Sequence, residues 1–183
     1  MSNSFRTTNS TGLINKDKKI NFTFNGTIYH GYEGDTLASA LIANGVHLVG
    51  RSFKYHRPRG FLGVGVEEPN AMVQLHDGNK SEPNIIATEV ELVEGLKAKS
   101  QNCWPSVQFD IGEINNVLNR FFPAGFYYKT FMWPKSFWMK IYEPFIRKAA
   151  GMGKAPLLPD PDRYEHNYEH CDVLVVGSGP SGL

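Results

Sequence analysis

Ile20-Asn21-Phe22-Thr23-Phe24-Asn25-Gly26-Thr27-Ile28-Tyr29-His30-Gly31-Tyr32 reads as a β-hairpin. Ile20, Phe22 and Phe24 alternate with polar neighbours, which gives an extended chain one apolar face and one wettable face. Asn25-Gly26 is the dipeptide favoured in two-residue hairpin turns, whose central positions take positive φ. Thr27 to Tyr32 then supplies the return strand. Downstream, Asp35 or Thr36 can cap a helix that sets Leu37, Ala38, Leu41 and Ile42 on one face, and Asn44-Gly45 stops it. A hairpin followed by a helix opens the β-grasp fold. Further strands are expected at 46–49, 71–75 and 85–93, with Asp77-Gly78-Asn79 and Pro83-Asn84 as the turns between them. The fold class is α+β.

On this reading residues 1–19 are a polar, disordered lead-in and 20–100 form the β-grasp domain. From 101 to 153 the texture changes to large rings, including Phe121, Phe122, Phe126, Tyr127, Tyr128, Phe131, Trp133, Phe137, Trp138 and Tyr142. Helices are expected near 111–121 and 136–150, the second ending at Gly151 with Arg147 and Lys148 in its last turn. So many rings must be covered, either by another domain or by the preceding sheet. Pro156, Pro159 and Pro161 mark 154–171 as a linker, so the connector as a whole spans 101–171.

The final segment, 172–183, carries the strongest chemical motif. Asp172-Val173-Leu174-Val175-Val176 is an apolar run of the kind buried on both faces of a parallel sheet. It runs directly into Gly177-Ser178-Gly179-Pro180-Ser181-Gly182, a full G-x-G-x-x-G. Gly177 permits a tight turn, Gly179 lets backbone approach a pyrophosphate, and Gly182 lets the helix pack on the strand. Pro180 suits the first helical turn, where its missing N–H costs nothing. These six residues are the expected cofactor-binding residues, for a dinucleotide such as NAD. They imply a Rossmann-type domain that begins here and continues beyond Leu183, so the chain is expected to be the amino-terminal piece of a larger oxidoreductase subunit.

In a β-grasp domain the loop after the helix is where plant-type ferredoxins hold an iron–sulfur cluster with C-x4-C-x2-C. Here Leu62, Glu67 and Asn70 stand at that spacing, and Gly63 and Gly65 lie where such a loop needs open backbone angles. Leucine cannot ligate iron and asparagine does so poorly. A 2Fe-2S ferredoxin-like scaffold with its cluster lost is therefore expected, with no metal and no iron–sulfur cluster.

Composition sets outer limits. A net charge of +1 argues against a global role in binding nucleic acid or an anionic membrane, and only two cysteines occur, Cys103 and Cys171. No apolar run approaches a membrane span and no secretory leader is visible. A cytoplasmic protein without membrane or nucleic-acid partners is expected.

Several strings resemble one family. They are Asp35-Thr36-Leu37-Ala38, Gly50-Arg51-Ser52-Phe53-Lys54-Tyr55-His56-Arg57-Pro58-Arg59-Gly60, Glu67-Glu68-Pro69-Asn70-Ala71 and Gly125-Phe126-Tyr127-Tyr128-Lys129-Thr130-Phe131-Met132-Trp133-Pro134. Pro159-Asp160-Pro161-Asp162-Arg163-Tyr164-Glu165 and Cys171-Asp172-Val173-Leu174-Val175-Val176-Gly177 belong with them. From about residue 20 onward the sequence resembles the start of the alpha subunit of heterotetrameric sarcosine oxidases. The resemblance implies oxidative demethylation of sarcosine to glycine, with the one-carbon unit passed to tetrahydrofolate. It further implies FAD on a beta subunit, FMN at the alpha–beta interface and NAD on the alpha subunit. Only the motif at 177–182 carries over as binding residues, and the chain alone is expected to be inactive, with no catalytic residue of its own. A related amine or imino-acid dehydrogenase subunit and a self-standing β-grasp interaction module are the alternatives.

Two weaker signals remain. His166-Asn167-Tyr168-Glu169-His170 matches H-x-x-E-H, but Pro161 and the strand expected from 172 leave little room for the helix that a zinc site needs. These are read as solvated linker histidines. Arg51, Lys54, Arg57 and Arg59, interleaved with Phe53, Tyr55 and His56, form a local basic patch. It suits contacts with a neighbouring domain or subunit first, then a cofactor phosphate, then RNA.

Overall fold

The computed structural model describes residues 5–7, 12–121, 133–144, 146, 153 and 156–177. The hairpin forms where it is expected. Strand β1 (Asn15–Phe24) pairs antiparallel with β2 (Thr27–Glu33), placing Phe22 opposite Tyr29 and Phe24 opposite Thr27. Asn25 and Gly26 take φ of 51° and 81°, the left-handed pair that this turn requires. β1 starts before Ile20, at Asn15, across a register irregularity between Asn15 and Lys19.

Helix α1 (Leu37–Ala43) follows, and Thr36 is its cap: the Thr36 side chain accepts from Ser39 N–H while the Ser39 hydroxyl accepts from Thr36 N–H. Leu37, Ala38, Ala40 and Leu41 are buried against the sheet, in one core with Ile20, Phe22, Phe24, Val73 and Ala98. Gly45, at φ 76°, ends the helix.

The rest of the domain is β3 (Gly50–Arg51), β4 (Pro58–Arg59), β5 (Met72–Leu75), β6 (Glu82–Ile86) and β7 (Lys97–Ser100). The main sheet runs β2-β1-β7-β5-β6, with β1 and β7 parallel and every other pair antiparallel. This mixed sheet with one helix across it is the β-grasp arrangement.

Three boundaries differ from expectation, each for a visible reason. Residues 46–49 form no strand, since the Val46 N–H is spent on the Leu41 carbonyl at the helix end. β6 stops at Ile86 and the chain turns, so that the carbonyls of Ala87 and Val90 accept the N–H groups of Ala38 and Leu37 in the first turn of α1. β7 lies outside every expected strand. Of its four residues only Ala98 is buried, and lysines flank it.

The lead-in is not wholly unattached. Phe5 N–H donates to the Ala43 carbonyl, its ring meets His47 edge-on, and Arg6 reaches Asp35. In the connector, the helix expected at 111–121 is reduced to one short helical turn, α2 (Ile114–Val117), between 3-10 turns. Of the helix expected at 136–150, a 3-10 turn at Lys135–Phe137 and a π turn at Trp138–Tyr142 are described. The rings of 122–131 lie outside the described residues. No described helix is long and apolar enough to cross a membrane.

Candidate functional site

Loop 60–71 sits where a ferredoxin-like domain would do its chemistry. Its organising group is Glu68, 2% exposed. One carboxylate oxygen accepts the N–H groups of Leu62 and Gly63, each at 2.6 Å, and the other accepts those of Asn70 at 2.7 Å and Ala71 at 3.2 Å. Burial pushes the Glu68 carboxyl up, but these four amides together hold it below its ordinary value. Neighbouring Glu67, exposed, accepts from Val64 and Gly65 N–H, and the Thr88 hydroxyl donates to the Gly65 carbonyl at 2.8 Å.

The glycines of this loop serve space and not angle. Gly63 and Gly65 are not among the positive-φ glycines, contrary to expectation. A Cβ on Gly63 would meet Glu67 Oε1 at 2.9 Å and Glu68 Cα at 3.2 Å, so a side chain there would crowd both glutamates. Leu62, Glu67 and Asn70, singled out by their spacing, contribute two amides and one exposed carboxylate. The decisive residue, Glu68, lies one position from Glu67 and carries no motif.

Within the basic run Arg51 is turned inward, whereas Arg57 and Arg59 are exposed. Arg51, its side chain 4% exposed, donates from Nε to the Val107 carbonyl at 2.8 Å and from its terminal nitrogens to the carbonyls of His56 and Gln108. It also pairs with Glu113 at 3.3 Å. His56, at φ 52°, meets Asp110, and Arg57 Nε donates to Asn116 while its guanidinium lies over the Tyr55 ring. Arg51, His56 and Arg57 therefore dock the start of the connector onto the β-grasp domain within one chain.

Beside this junction is an open cleft of about 780 Å³ between the 25–27 turn, residues 44–48 and residues 103–108. Cys103 lines it, and burial, then the Asp110 charge, push its thiol up, so it is a poor nucleophile at neutral pH. Cys171 is exposed. His166, Glu169 and His170 are exposed on a non-helical stretch.

At the far end, 172–176 is exposed and joins no ladder with described residues, where a buried parallel strand is expected. A parallel strand is held by its neighbours in a sheet, and 172–176 pairs with none of β1 to β7. Gly177 takes φ 108°. Ser178, Gly179, Pro180, Ser181 and Gly182 lie outside the described residues.

Comparison with known proteins adds three findings. Residues 17–103 match the family described as a 2Fe-2S iron-sulfur cluster binding domain. The chain is also 60% identical over 172 residues to the sarcosine oxidase subunit alpha of Rhizobium meliloti (strain 1021), covering 94% of this chain. The chain is a homologue of sarcosine oxidase alpha subunits. It is 31% identical over 173 residues to the subunit of the same name from Corynebacterium sp. (strain U-96). It spans 17% of the length of the Rhizobium relative and 13% of the Corynebacterium one. The L-proline dehydrogenase of P. horikoshii matches structurally with 24% identity and a TM-score of 0.36, covering 49% of this chain and 16% of that one.

The first match corrects one expectation. Leu62, Glu67 and Asn70 suggest a domain with no iron–sulfur cluster, whereas residues 17–103 match a domain type defined by binding a 2Fe-2S cluster. The donor set in this chain is another matter. Loop 60–71 contains no cysteine or histidine, Glu68 is already committed to four amides, and no described group of three His, Cys, Asp or Glu side chains could hold a metal. The residues of this loop do not fit a thiolate-held cluster.

Proposed function

We propose that this chain is the amino-terminal region of a sarcosine oxidase alpha subunit, an oxidoreductase component acting on the CH–NH bond of sarcosine. The observation that carries this reading is 60% identity over 94% of the chain to a protein of that name. In the proposed full complex, sarcosine is oxidised to glycine with flavin as hydride acceptor, the one-carbon unit passes to tetrahydrofolate, and a flavin-bearing beta subunit is the chief partner. A cytoplasmic setting suits its two unpaired cysteines.

Within that complex the β-grasp domain has an architectural role: Arg51, His56 and Arg57 hold the connector that leads to the dinucleotide motif. NAD is the ligand proposed for Gly177, Ser178, Gly179, Pro180, Ser181 and Gly182, with its pyrophosphate over the following helix N-terminus. The layout proposed is a domain at 20–100, a connector at 101–171 and a nucleotide domain from 172. Calorimetric titration of NAD into the 183-residue chain and into one extended through a whole nucleotide domain is the test. Binding only by the extended chain, together with sarcosine-dependent oxygen uptake by the assembled complex, is expected. Micromolar binding by the short chain would move the site elsewhere, and a complex inert to sarcosine would refute the activity.

A further inference from the structure

A buried carboxylate ordinarily needs a cation or a dense set of donors. Glu68 has the second. Its four donors are backbone amides, and they come from both ends of one loop: Leu62 and Gly63 before it, Asn70 and Ala71 around its own turn. Successive amides that converge in this way form a concave anion-binding nest, whose partial charges belong to the backbone and so persist when a side chain is changed. Gly63 keeps the wall of the nest thin, since a Cβ would press on Glu68.

We propose that loop 60–71 is a backbone site for a carboxylate, filled in this chain by its own Glu68, and that removing that side chain leaves a site for small monocarboxylates such as formate and acetate. Two oxygens accepting two amides each is the pattern of a bidentate carboxylate, and the enclosed position favours a small anion over phosphate or sulfate. The same contacts make Glu68 the staple of the loop. Without an anion, four amides would lose their acceptor at once, and the loop would open to recover water.

The test uses the full chain and its Glu68→Ala and Glu68→Gln variants, with Glu67→Ala as control. Hydrogen exchange is followed on peptides covering 60–71, with peptides of β1 and β2 reporting whether the domain stays folded. Glu68→Ala is expected to speed exchange of this loop by at least about tenfold. Formate or acetate should restore protection saturably, while chloride or sulfate at matched ionic strength should not. Glu68→Gln, which keeps the volume and loses the charge, should fall between the two. Glu67→Ala should show a smaller change and no formate response. Unchanged exchange in Glu68→Ala, or a folded Glu68→Ala domain whose loop ignores formate, would overturn the proposal. So would equal rescue by chloride.

Discussion

His56 Nδ1 lies 2.6 Å from Asp110 Oδ2, joining a left-handed residue of the basic loop to the start of the aromatic connector. Asp110 is 5% exposed and its other oxygen accepts the N–H groups of Trp104 and Gly112. One carboxylate therefore fixes the connector's first turn and ties it to the domain. Asp110→Ala strips three donors of their acceptor and is expected to cost about 2–4 kcal/mol in urea unfolding. Gly112→Ala attacks the same junction by size, because its Cβ would stand 2.2 Å from the His56 ring. It is expected to cost about 1–3 kcal/mol. Midpoints like the parent chain in both variants would show that the junction contributes nothing to stability.

Arg6 and Asp35 form the second long-range tie. Arg6 donates to both oxygens of Asp35, at 3.0 and 2.6 Å, and lies over the Tyr32 ring. Asp35 also accepts from the Ser39 hydroxyl and Tyr32 N–H, so it is the hub between lead-in, hairpin and helix. Arg6→Ala is expected to destabilise by about 2–3 kcal/mol, below the ~3–5 of a fully enclosed pair because Asp35 keeps two other donors. Arg6→Lys should recover part of it, since an ammonium cannot span both oxygens. If deleting residues 1–7 proved as stable as the parent, the tie would be incidental.

Most of the β-grasp core is legible in the sequence because its signals are local. The alternation of Ile20, Phe22 and Phe24, the Asn25-Gly26 turn and a helix cap at Asp35 or Thr36 each follow from a few adjacent residues, and the structure keeps all three, with Thr36 as the cap. What is not legible depends on partners distant in sequence. β7 is central in the sheet although Lys97-Ala98-Lys99-Ser100 is nearly polar, because only Ala98 faces the core. The role of Arg51 is written in carbonyls 56 and 57 residues away. Glu68 is a plain glutamate until the loop closes around it. The iron–sulfur expectation failed differently. Three positions without thiolates speak only for the loop that holds them, whereas the domain type is carried by the whole of 17–103.

Two of the buried carboxyls, Asp35 and Glu68, predict an acid limit. Burial pushes Asp35 up, but Arg6, Ser39 and Tyr32 N–H bring it below its ordinary value, and the loop amides do the same for Glu68. In the unfolded chain such groups titrate near ~4, so on acidification the unfolded state takes up protons first. Their stabilisation is complete above the unfolded pKa and is lost as pH falls through the folded one, which places the decline below about pH 4. Urea midpoints measured from about pH 6 to about pH 3 should fall steeply for the parent and less for an Asp35→Asn, Glu68→Gln double variant. Parallel curves would mean that neither carboxyl couples folding to pH.

The apolar run at 172–176 predicts how the chain behaves in solution. Val173, Leu174, Val175 and Val176 are 62–87% exposed and pair with no described strand. Four consecutive apolar residues, three of them β-branched, with open N–H and C=O groups form a template for strand addition between copies. The flanking Asp172 is one of few charges near enough to discourage stacking. Removing residues 172–183 is therefore expected to lower light scattering at matched concentration without moving the unfolding midpoint, since the run contributes nothing to the core of the β-grasp domain. Leu174→Lys and Val175→Lys place a charge on each face of the extended run, and each should act like the deletion. Equal scattering from parent, deletion and lysine variants would show that this segment is harmless, and would direct attention to Trp104, Phe109 and Ile111, an exposed apolar group at the start of the connector.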